Sequence, residues 1–74
     1  MEQATQFKFD KKRFKDYREK QLKMTQEQAA AGIGVLRQTL ASWEKEGGHC
    51  PSISQLSKIG QVYGIAGTFF LVQE

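Results

Sequence analysis

The sequence predicts an all-α domain, a compact bundle of four to five short helices, on three observations. Two Ser/Thr-x-x-Gln boxes begin at Thr25 and Ser52, apolar residues recur at intervals of three and four, and glycines stand where those patterns stop. Residues 1–8 read as a loose basic arm, polar from Met1 to Gln6. Asp10 is then an N-cap, and Phe9 and Phe14 on either side of it occupy the two positions of a hydrophobic staple. Phe14, Tyr17 and Arg18 continue at helical spacing.

Thr25 caps the second helix, with Gln28 as its reciprocal partner, and the run Ala29-Ala30-Ala31 favours helix while allowing a neighbour to approach closely. Gly34, between Ile33 and Val35, marks a tight turn needing positive φ. A third helix extends from about Leu36 to Glu46, with Leu40 and Trp43 on one face and Arg37, Gln38, Ala41, Ser42 and Lys45 on the other. Gly47-Gly48 ends it. Ser52 and Gln55 open a fourth helix whose apolar stripe is Ile53, Leu56, Ile59, Val62 and Tyr63, stopping at Gly64. Gly60, inside that helix, implies close packing against a neighbour, in this chain or in a second subunit. Residues 68–72 have no usable period; a short helix is favoured over a strand.

Length and composition narrow the function classes. A chain of 74 residues makes one domain, residues 1–74, with a single core that buries about 60% of the unfolded surface. One cysteine, Cys50, forms no internal disulfide, and His49 beside it falls short of the four ligands of a structural zinc site, so neither metal nor cofactor is expected. No apolar run approaches a membrane span, and no signal peptide is recognisable, which places the protein in the cytoplasm without a membrane partner. There is no Ser/His/Asp set, phosphate loop or room for a pocket, so neither an enzyme nor a small-molecule substrate is expected. The formal charge of +3 is uneven: up to Lys23 there are 8 Lys/Arg against 4 Asp/Glu, and from Met24 onward 3 against 4. Such a basic field suits phosphate or another anionic surface.

The central twenty residues carry the sharpest signal. Counted from Gln26, the residues Ala29, Ile33, Val35, Leu40 and Trp43 are apolar where two crossed helices share a core, Ala30 is small at the crossing, and Gly34 relaxes the turn. Together they form a helix-turn-helix by spacing alone. Here the sequence resembles the Cro/phage-repressor (XRE-like) family, with a lambda-repressor-like DNA-binding fold. Met24-Thr25-Gln26-Glu27-Gln28-Ala29-Ala30 is similar to that family's entry into the second helix, Trp43-Glu44 with Gly47 and Pro51-Ser52 to the end of its third, and residues 53–65 to its fourth. The resemblance spans about residues 14–71. Departures are Leu36, where the family usually has a capping Ser or Asp, one extra residue between Arg18 and Gln26, and another between Glu44 and Pro51.

The resemblance implies a transcription regulator that lays its third helix in the major groove of double-stranded DNA. Leu36, Arg37, Gln38, Ala41 and Ser42 are the implied base contacts: arginine grips guanine and glutamine adenine, each through two bonds, while an apolar side chain meets a thymine methyl. Thr25, Gln26 and Lys45 are the implied phosphate contacts, Gln26 at the positive end of a helix, and Lys12 of the basic cluster is expected to add one by its charge. Arg18 and Glu44 occupy the places of an ion pair that orients the third helix. A repressor acting on a palindromic operator as a homodimer is the leading expectation, with Phe69, Phe70 and Leu71 completing the core or forming the dimer contact. The alternative is a protein-interaction module that keeps the fold and binds through Leu36 and the C-terminal apolar patch. The Arg37, Gln38 and Lys45 face favours DNA over that alternative. RNA is disfavoured because no exposed aromatic platform is evident.

Overall fold

The computed structural model describes residues 7–73. In chain order these form β1 (Phe7–Phe9), α1 (Lys11–Asp16), a π-type turn (Tyr17–Gln21), α2 (Gln26–Ile33), α3 (Arg37–Glu44), α4 (Ile53–Tyr63), a 3-10 turn (Gly67–Phe70) and β2 (Leu71–Gln73). The helices begin where the sequence places their caps. Asp10 accepts the Arg13 N–H at 3.0 Å, and the rings of Phe9 and Phe14 close the staple at 5.2 Å. Thr25 and Ser52 each complete a capping box, with Gln28 and Gln55 returning the bond to the cap's own N–H.

The core is dominated by aromatic rings, as suits a short chain that must bury much surface with few residues. Phe14 is its centre. It is fully buried and meets Phe9, Trp43, Tyr63 and Phe70 at 5.2–6.2 Å. Ala29, Ala30, Ile33, Leu40 and Ile59 fill the space beneath α2, α3 and α4. The Tyr63 hydroxyl is buried with no hydrogen-bond partner among the described residues. Burial raises its pKa well above the ordinary tyrosine value.

Several expectations are corrected. The arm does not stay loose as far as residue 8: Phe7 and Lys8 lie in β1, antiparallel to β2, with Phe7 opposite Gln73, Lys8 opposite Val72 and Phe9 opposite Leu71. Residues 1–6 of the expected arm lie outside the described residues. The segment at 68–72 is split, closing as a 3-10 turn through Phe70 and then extending into β2. That choice rests on the partner strand, which lies more than sixty positions away and leaves no local period. Ile53 does not join the core stripe; as the first residue of α4 it is 85% exposed. The α3 helix stops at Glu44, two residues early, because Lys45 turns to an extended conformation.

Gly60 packs closely, but its neighbour is this chain's own backbone and not a second subunit. A Cβ built there would lie 2.6 Å from Ile65 O and 3.0 Å from Gly67 N. Gly60→Ala is therefore expected to lower stability by about 1–3 kcal/mol, overpacking outweighing the alanine's better helix propensity. Denaturant unfolding of the two proteins measures this; an alanine variant at least as stable as wild type would contradict the close approach. Tyr63→Phe removes the orphaned hydroxyl and is expected to stabilise by about 1 kcal/mol. Because the folded state raises the tyrosine pKa, wild-type stability is complete below the unfolded value of about 10 and declines above it. The same unfolding series run from pH 8 to 11 should show a shallower decline for Tyr63→Phe.

Candidate nucleic-acid interface

The site is built from the turn outward. Ala30 O accepts the Gly34 N–H at 2.8 Å and the Val35 N–H at 3.0 Å, and Gly34 adopts φ 91°, so the chain leaves α2 sharply. Ile33 is buried and Val35 packs against the core, pinning both sides of the turn. Leu36 then holds an extended conformation at the start of α3 and makes no side-chain cap; its side chain is 69% exposed. Leu40 and Trp43 anchor the inner face of α3. Its outer side is a shallow concavity lined by Arg37, Gln38, Ala41, Ser42 and Lys45, together with Gly47, Gly48 and His49 from the following loop.

One buried ion pair sets how α3 lies. Arg18 donates from Nε to Glu44 Oε2 at 2.6 Å and from Nη2 to Glu44 Oε1 at 2.8 Å, both side chains being about 95% buried. Its Nη1 donates to Met24 O at 2.7 Å, which ties the pair to the entry of α2. The Glu44 hydrogen bonds raise the guanidinium's pKa against the opposing effect of burial. Gln26 extends the chain of bonds outward, donating to Glu44 Oε1 at 3.0 Å and accepting from Arg37 Nη1 at 3.3 Å. A continuous network thus runs from the π-type turn after α1 through the end of α3 and the start of α2 to Arg37 at the surface.

The sequence-derived site residues are not all brought to one place. Arg37, Gln38, Ala41, Ser42 and Lys45 share the concavity, with Leu36 one residue before it and exposed. Thr25 sits at the cap of α2, its hydroxyl accepting the Gln28 N–H at 3.0 Å. Lys12 is elsewhere: it pairs with Asp16 at 3.3 Å on α1 and lines a second groove with Phe7, Glu46 and Cys50. Other members of the basic cluster are occupied internally. Arg13 donates to Phe69 O at 2.8 Å and stacks on the Phe69 ring, and Arg18 is buried as above. The apolar trio is divided as well. Phe70 is fully buried and completes the core, whereas Phe69 is exposed and Leu71 half-buried. The reason is that the 3-10 turn aims consecutive side chains to different sides.

Some of the site was missed from sequence. Gly48 and His49 line the α3 concavity because the Ser42 hydroxyl accepts the His49 N–H at 2.9 Å and folds the loop back. A glycine pair signals a turn there but not its direction. Among the described residues no group of acidic, cysteine or histidine side chains is arranged to hold a metal. No helix among them is long and apolar enough to cross a membrane.

The capped pair of crossed helices, the positive-φ glycine between them and the buried pair at Arg18 and Glu44 agree with a comparison against family models. A model described as helix-turn-helix matches residues 14–70. The chain belongs to the helix-turn-helix family of Cro/XRE-type DNA-binding transcription regulators. Neither a curated protein nor a solved structure gives a significant match. The helix-turn-helix protein is thus expected to bind double-stranded DNA, and its family is generally non-enzymatic.

Breaking the buried pair from one side should be costly. Glu44→Ala leaves the Arg18 charge buried without its partner and is expected to destabilise by about 3–5 kcal/mol. The double variant Arg18→Met/Glu44→Met removes both charges and should recover most of that loss. Urea unfolding of the three proteins checks the order; a double variant less stable than Glu44→Ala would be inconsistent with the pair acting as a desolvated unit.

Proposed function

We propose that the protein is a repressor that binds a palindromic operator as a homodimer, acting in the cytoplasm, where the exposed Cys50 thiol stays reduced. The observation that carries this reading is the outer face of α3, where Arg37, Gln38, Ala41, Ser42 and Lys45 line one open concavity on a helix held from behind by Leu40, Trp43 and Glu44. In this reading Arg37 and Gln38 pair with guanine and adenine edges, and Leu36 meets a thymine methyl. Ala41 and Ser42 lie against the bases one turn further along. Lys45, Gln26, Thr25 and Lys12 contact phosphate, Gln26 and Thr25 from the positive end of α2. One eight-residue helix offers few base contacts, which favours two copies on two half-sites about one helical turn apart. Phe69 and Leu71 are the residues we assign to the contact between copies.

The test is selection from a randomised duplex pool near physiological salt. Enrichment of an inverted repeat with half-sites about 10 base pairs apart supports the reading. A single enriched half-site removes the dimer, and no enrichment removes sequence reading. With the selected duplex in hand, Arg37→Ala should cost about 1–3 kcal/mol on that site and much less on random duplex. Lys12→Ala should weaken both alike. Equal losses on the two duplexes for Arg37→Ala would rule out direct base readout by that residue.

A further inference from the structure

Lys11 has the charge of a phosphate contact and the position of something else. It is the first residue of α1, next to the Asp10 cap, yet its ammonium reaches across to the far end of α3. There it donates to Ser42 O at 3.3 Å, Trp43 O at 3.1 Å and His49 O at 2.6 Å. An ammonium has three donors and each meets a backbone carbonyl. Two of those carbonyls belong to the last turn of α3, which has no basic side chain of its own to balance the partial negative charge of a helix end. The third belongs to the loop that lines the α3 concavity. That loop is held at two further points, where the His49 N–H donates to Ser42 Oγ and the Gly48 N–H donates to Lys45 O, each at 2.9 Å.

We propose that Lys11 is a positioning residue for DNA reading by α3: its ammonium joins the end of α3 to the Gly47–His49 loop and sets the shape of the concave face before DNA arrives. The inference rests on the proposed DNA reading, but the clamp itself is a property of the free protein. Arg18 and Glu44 fix the direction of the helix from the core side, and Lys11 fixes its C-terminal end from the solvent side. Since its three donors are occupied, Lys11 adds nothing to the phosphate contacts made by the rest of the basic segment.

The experiment compares wild type, Lys11→Met and Lys11→Arg in two settings. In the free proteins, amide exchange should quicken at Gly48 and His49 in Lys11→Met, with amides in α2 and α4 unchanged, and Lys11→Arg should restore most of the protection. On the selected duplex, Lys11→Met should weaken binding about tenfold, comparable to losing one charge-assisted hydrogen bond. The salt dependence of binding to random duplex should keep the wild-type slope, whereas loss of a phosphate contact would reduce it by about 0.9. A reduced slope with an unchanged loop would overturn the inference by making Lys11 a phosphate contact. A loosened loop with unchanged affinity would overturn it by making the clamp irrelevant to DNA. If wild type itself selects no sequence, the DNA reading fails while the loop measurement still reports on the clamp.

Discussion

The arrangement depends most on the buried pair between Arg18 and Glu44. Taking two charges out of water costs several kcal/mol for each ion, and attraction offsets this only where geometry is good and the remaining donors are satisfied. Here they are satisfied: Arg18 reaches both Glu44 oxygens and Met24 O, and Glu44 also accepts from Gln26. Such a pair adds little net stability, but a displaced partner is heavily penalised. An apolar contact in its place would let α3 slide on its neighbours at small cost, whereas the charge pair admits one placement. The exposed side chains of α3 inherit that placement.

The aromatic core complements the pair by fixing distances rather than direction. Phe14, Tyr63, Phe70 and Trp43 are large and stiff, so helices separated by them cannot approach further, while Ala29 and Ala30 let α2 come close where it crosses α3 and α4. Phe70 belongs to the closing segment, and its full burial explains why the chain doubles back after α4. The Asp10 N–H donates to Phe70 O at 2.7 Å, which joins the cap of the first helix to that segment. The two short strands continue this contact, and the beginning and end of the described chain form one unit with the core.

The basic segment shows how far charge and site can diverge. Of its lysines and arginines, Arg18 is in the core, Arg13 holds the Phe69 backbone and ring, and Lys11 holds the end of α3. Composition reports a positive field and nothing about which charges face outward. The distinction is geometric: a long side chain next to a capped helix start can cross to a neighbouring helix end only if that end lies within reach.

What the sequence by itself determined is local. Caps at Asp10, Thr25 and Ser52, the turn at Gly34, and the inward faces carrying Leu40 and Trp43 follow from rules acting over four or five residues. The ion pair was legible only through family resemblance, since nothing in the separate neighbourhoods of Arg18 and Glu44 links them. Between Arg18 and Gln26 the helix widens into a π-type turn, with the Leu22 N–H bonding Tyr17 O and the Met24 N–H bonding Arg18 O, a local change that no capping or spacing rule announces. Only the tertiary structure decided that Phe7–Phe9 and Leu71–Gln73 pair, that Phe70 turns inward while Phe69 stays out, and that Lys11 grips α3. Each of these joins residues thirty or more positions apart, and no periodicity or capping rule carries information over that separation.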